Sequence, residues 1–107
     1  MTVEDVYNAL REVVDPELGI NIVDLGLIYD VRVEDDGRVY VKMTFTTPGC
    51  PLAFKIFMSV RHAVKRLGVK DVKVVVTFDP PWSPERMSPE ARKKLEELWA
   101  GRRKPWE

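Results

Sequence analysis

Cysteine and histidine each occur once in this chain of 107 residues, asparagine occurs twice and glutamine not at all. A single cysteine forbids an internal disulfide, which agrees with a reducing compartment. It also forbids a self-contained structural zinc site or iron–sulfur cluster, because these take about four nitrogen or sulfur ligands from the protein. Neither sign of charge dominates: 17 lysines and arginines balance 17 aspartates and glutamates. No attraction to nucleic acid or to anionic membranes follows from the sequence as a whole. No apolar run approaches the roughly 18 residues of a membrane span and nothing reads as a signal peptide, so the expected location is the cytoplasm. A Walker or dinucleotide phosphate loop is missing too, since PGCP is too short and lacks the lysine such a loop requires. The scarcity of amides beside 32% charged residues leans toward a heat-adapted source.

What is present is strong periodicity. Thr2 and Asp5 form a capping box, after which Val3, Val6, Tyr7, Leu10, Val13 and Val14 recur at helical spacing, so a first helix is expected over Val3 to Val14. DPELGIN breaks it through Pro16 and Gly19. From Leu27 to Glu34 the pattern alternates, with Tyr29, Val31 and Val33 on one face. EDDG turns the chain, and Val39, Val41, Met43 and Phe45 then alternate with Tyr40, Lys42, Thr44 and Thr46, giving an antiparallel hairpin whose threonine face is expected to be solvated. A second helix follows Cys50, carries Ala53, Ile56, Phe57, Val60, Ala63, Val64 and Leu67 on one side, and closes at Gly68. Lys70 to Phe78 reads as a strand with Val72, Val74, Val76 and Phe78 inward, and its place after a helix implies a crossover between parallel strands. The proline-rich FDPPWSPERM is irregular, Ser88 and Pro89 open a last helix through about Ala100, and GRRKPWE is a frayed tail. The expected fold is an α/β two-layer sandwich, helix-strand-strand-helix-strand-helix with a small mixed sheet, forming one domain over residues 1–100 with a tail at 101–107.

The chemistry is expected at Cys50. In TTPGCP it stands where strand periodicity stops and helical periodicity starts, and Pro51 suits the first helical position, so Cys50 is expected to be the N-cap. A helix start carries unpaired N–H groups and partial positive charge, which would ionise a thiol more easily than its ordinary value of about 8.5. The competing reading is a small, inert, buried side chain. Asp15, Glu17 and Asp24 lie in loops the core does not need, and Thr46, Thr47 and Gly49 flank the thiol, so these residues are the candidates to shape its pocket. For Asp15, a turn-forming role at DPE stands beside this; Asp24 is expected either to cap a turn or to bond the Cys50 loop. His62 lies twelve residues beyond Cys50 on the same expected helix, roughly 18 Å away, so it is read as an exposed helix residue and a Cys–His dyad is excluded. Any iron or iron–sulfur cluster would therefore be shared across two subunits or with a partner. Trp82, in a loop stiffened by prolines, is either a contact anchor for a partner or a lid over the sheet.

Three blocks, DPELGINIVDLGLIYDV at 15–31, MTFTTPGCPL at 43–52 and DPPWSPERMSPEAR at 79–92, resemble the small iron–sulfur assembly domain family. That family includes the SufT proteins, the PaaD component of phenylacetate degradation and the eukaryotic cytosolic iron–sulfur targeting factors. The resemblance implies that Asp15, Pro16, Glu17, Asp24, Leu25, Gly26, Thr46, Cys50 and Pro51 are motif positions, with Cys50 the reactive thiol. It further implies a non-enzymatic role in maturing iron–sulfur proteins, with assembly machinery and client apoproteins as partners and a homodimer as one way to share metal. The C-terminal cysteines of the PaaD pattern are missing, which points to the stand-alone assembly factor. Two rivals remain: a metal-free adaptor docking clients through the Trp82 loop, and a thiol enzyme using a carboxylate as base.

Overall fold

The structure is a computed structural model that describes residues 1–47, 49 and 51–104. Helix α1 (Val3–Leu10) is followed by two two-residue strands, β1 (Val14–Asp15) and β2 (Ile20–Asn21). Then come β3 (Ile28–Val33), β4 (Arg38–Met43), α2 (Ala53–Lys65), β5 (Asp71–Val76), a 3-10 turn at Pro84–Arg86 and α3 (Pro89–Leu98). The main sheet has the order β3-β4-β5, antiparallel between β3 and β4 and parallel between β4 and β5. It is the expected α/β arrangement of helices on a small mixed sheet.

The pleat and the register explain the core. Val41 faces Val31 on one side and Val74 on the other, while Val39 faces Val33 and Val72, so one face of the sheet is aliphatic. Helix α1 lies against β3 and α2 against β5, covering that face with Val6, Leu10, Ile56, Val60 and Val64, all buried. Each such side chain contributes about 1.5–3 kcal/mol by leaving water. The opposite face carries Arg32, Tyr40, Lys42 and Lys73, and Arg32 stacks on the Tyr40 ring directly across the ladder.

Several local expectations change. Helix α1 stops at Leu10, because Glu12 and Val13 donate to the carbonyls three residues back, of Ala9 and Leu10, and the chain then extends into β1. Val14 accordingly points outward, and Asp15 is a buried strand residue instead of a helix C-terminus. The hairpin of β1 and β2 was invisible to periodicity, since two residues have none. A bulge lies between Ile28 and Asp30, so Ile28 takes the inward slot opposite Met43 that alternation gave to Tyr29. Tyr29 instead donates its hydroxyl to the Pro80 carbonyl at 2.9 Å and lies under the Arg86 guanidinium. Regular strand β4 ends at Met43, and just beyond it Thr44, still donating to the Leu27 carbonyl, is fully buried, not solvated. Phe78, two residues past the end of β5, is exposed.

The C-terminal third is clasped onto the segment before β3. The Trp82 indole N–H donates to the Leu25 carbonyl at 2.7 Å, and Ser88 N–H to the Asp24 carbonyl at 2.9 Å. Gly26 has φ +79° and sits against Arg86 so closely that a Cβ would overlap the Arg86 carbonyl oxygen. Helix α3 starts as expected, with Ser88 Oγ accepting from Ala91 N–H and Pro89 at its first position, but ends at Leu98. Of the expected tail, Arg102 packs on Trp99 and Lys104 pairs with Glu96, so residues 102–104 return along α3; residues 105–107 lie outside the described residues.

Candidate functional site

The N-terminal end of β3 and the C-terminal ends of β4 and β5 meet at one edge of the sheet. Two further hydrogen bonds of 2.9 Å continue the ladders there, from Thr44 N–H to the Leu27 carbonyl and from Thr77 N–H to the Met43 carbonyl. The segments 22–27, 44–47 and 77–82 therefore leave the sheet side by side, at the carboxyl ends of its parallel strands, where open α/β sheets place their ligands. Thr46 and Thr47, just beyond β4, belong to this rim. Thr46 and Thr47 are half-buried, and Gly49 (φ +77°) and Pro51 are exposed. Cys50 itself lies outside the described residues.

Helix α2 starts later than expected. Its cap is Leu52, which has no side chain able to bond the free N–H groups, so the N-cap role assigned to Cys50 and the first-turn role assigned to Pro51 do not hold. Pro51 and Leu52 form a turn ahead of the helix.

The acidic candidates fall into two groups. Asp24 stays within its own turn: it accepts from Asn21 Nδ2 at 2.9 Å while its backbone N–H donates to Asn21 Oδ1 at 2.9 Å, a reciprocal pair that selects the turn-capping expectation. Asn21 is the residue the sequence reading passed over; its spacing of three before Asp24 was the available signal. Asp15, 4% exposed, accepts through Oδ1 from Glu17 N–H at 2.8 Å and Leu18 N–H at 3.3 Å, and its carbonyl accepts from Gly19 at 2.7 Å. That carboxylate holds the DPE turn. Glu17 is exposed, and its carboxylate has no partner among the described residues. Asp15 pairs with Ile20 across the β1–β2 hairpin while Asp24 bonds Asn21, so the two acidic turns flank β2 and each carboxylate is committed to its own turn. Among the described residues no group of three His, Cys, Asp or Glu could hold a metal ion.

The DPE turn instead approaches the start of α2. Val14, next to Asp15, lines an open hollow of about 660 Å³ together with Phe54, Lys55, Met58 and His62. His62 is exposed, as expected. Phe54 and Met58 escaped the sequence reading, although their i, i+4 spacing outside the apolar stripe was visible. Trp82 is 8% exposed and donates its indole N–H to the Leu25 carbonyl, so its ring is buried against the segment before β3 and is not presented to solvent.

Residues 3–76 match the family model described as iron-sulfur cluster assembly protein. The Fe-S protein maturation auxiliary factor YitW of Bacillus subtilis is 48% identical over 86 residues, covering 79% of this chain and 84% of that protein. A conserved hypothetical protein of Thermotoga maritima superposes with a TM-score of 0.79 at 54% identity, over 89% of this chain and 94% of its own. A domain of unknown function from Bacillus anthracis gives 0.84 at 40%, over 87% and 90%.

Proposed function

The chain belongs to the iron–sulfur cluster assembly protein family, and we propose that within it this protein is a non-enzymatic maturation factor that binds iron or a cluster transiently through Cys50. One observation carries the reading. The chain's only thiol stands between Gly49 and Pro51, two exposed residues in the segment joining the end of the central strand to α2. A thiolate there would donate one ligand bond to iron. With one cysteine in the chain, the further thiolates that a cluster takes would come from a second copy or from a client. Such a site holds its cargo weakly enough to release it when a client's thiolates displace it.

Glu17 supports this as the acidic residue whose carboxylate is uncommitted, on a turn whose neighbour Val14 shares a hollow with the start of α2. Asp15, Asp24, Thr46 and Thr47 would act by shaping the turns around the rim. The setting is the cytoplasm, with assembly machinery and client apoproteins as partners.

Anaerobic reconstitution with iron and sulfide tests the reading. Wild type should retain iron, gain mass on sizing if two chains share it, and support maturation of an apo-client; Cys50→Ser should lose all three. Equal iron and equal maturation in both proteins would remove the thiol from the mechanism.

A further inference from the structure

Helix α2 carries a second, unburied ridge. Phe54, Met58, His62 and Arg66 follow one another at intervals of four and so line one side of the helix over roughly 18 Å. Phe54 is 75% exposed and Met58 46%, and with the exposed Val14 they make an apolar patch at the start of the helix. Val13 and Ala63, both buried, belong to the wall of the same hollow. Lys55 and Arg66 add positive charge and His62 a titratable one, against a single acid, Glu12. No ion pair among the described residues involves Lys55 or Arg66. An aromatic ring left three-quarters in water, in a hollow whose Lys55 and Arg66 have no ion-pair partner among the described residues, is unfavourable for an isolated molecule and suitable for a contact anchor.

We propose that this hollow docks an acidic amphipathic segment of a protein partner, its apolar residues seated on Val14, Phe54 and Met58 and its carboxylates on Lys55 and Arg66. The charge decides the occupant. A second copy docking the same face by two-fold symmetry would bring Lys55 and Arg66 of both chains together, which like-charge repulsion opposes. Nucleic acid would leave the apolar end uncovered. The apolar end is also the end four residues from Cys50, so a docked segment would lie with its hydrophobic part nearest the thiol in the chain. The inference rests on the reading that this protein matures others, but not on metal binding by Cys50.

Fluorescence anisotropy with a labelled 16-residue amphipathic helical peptide, leucines along one face and glutamates flanking them at both ends, tests it beside a control with lysines in place of the glutamates. Wild type should bind the acidic peptide saturably, more weakly as salt rises. Phe54→Ser and the double change Lys55→Glu, Arg66→Glu should each weaken binding at least tenfold while circular dichroism stays unchanged. Cys50→Ser should bind as wild type does, which separates docking from metal handling. Equal binding of the lysine peptide, no saturable binding, an unaffected Phe54→Ser, or loss of docking in Cys50→Ser would each overturn the proposal. So would a wild-type dimer in sedimentation that Phe54→Ser dissolves, since that assigns the face to a second copy.

Discussion

Asp15 and Glu17 stand two positions apart yet differ in what their carboxylates already do. Asp15 is buried and accepts two backbone N–H groups, while Glu17 projects from the same turn into solvent. Removing a buried acceptor leaves its donors unpaired, at about 1–3 kcal/mol. Asp15→Ala should therefore lower stability by that amount in denaturant titrations, and Asp15→Asn, which keeps the accepting oxygen, should recover most of it. Glu17→Gln should leave stability within about 0.5 kcal/mol, as substitutions at the surface do. A loss of client maturation in Glu17→Gln at unchanged stability would mark its charge as part of the metal site. Type and spacing had marked both residues as candidates; burial, which sequence does not carry, separates them.

Among the elements, α1 has a start that depends on pH. Thr2 donates its backbone N–H to the Asp5 carboxylate at 2.9 Å, and Thr2 Oγ1 accepts from Asp5 N–H at 3.1 Å. The Thr2 backbone bond first, and its hydroxyl second, hold the Asp5 carboxyl below its ordinary 3.8. A carboxylate whose folded value is depressed stabilises the fold above the unfolded value and loses that contribution as pH falls through the folded one. NMR titration should find Asp5 below 3.8, and Thr2→Ala should move it back up as the first turn of α1 frays. This box was legible because it is local: four residues fix it. The same holds for the α3 cap at Ser88 and the left-handed Gly68 after α2, where φ is +85°. The failures have a common physical form. Tyr29, Thr44 and Phe78 were assigned by extending a period of two past a bulge or past the end of a regular strand, and Leu52 replaced Cys50 as the cap because a turn intervenes between strand and helix. Where the ladder is continuous, from Val39 to Met43, alternation named the inward residues correctly.

For the whole molecule, the contacts that matter most for integrity join residues far apart in sequence. Leu25 and Trp82, Asp24 and Ser88, Gly26 and Arg86 tie the segment before β3 to the segment after β5, and Met87, Ala91 and Leu95 complete the core from that side. Burying those side chains is worth on the order of 5 kcal/mol, comparable to the total stability of a small domain. A chain stopped after Phe78 should therefore show no cooperative unfolding transition by circular dichroism, even though all three strands of the main sheet remain. Nothing in the sequence announces this dependence, since no periodic pattern links residue 25 to residue 82. A further consequence concerns mechanics. Strand β4 is gripped along both edges, so force on the chain just past Phe45 must shear two ladders at once instead of peeling one. A partner tugging away from that anchorage would part from it long before the sheet gave way.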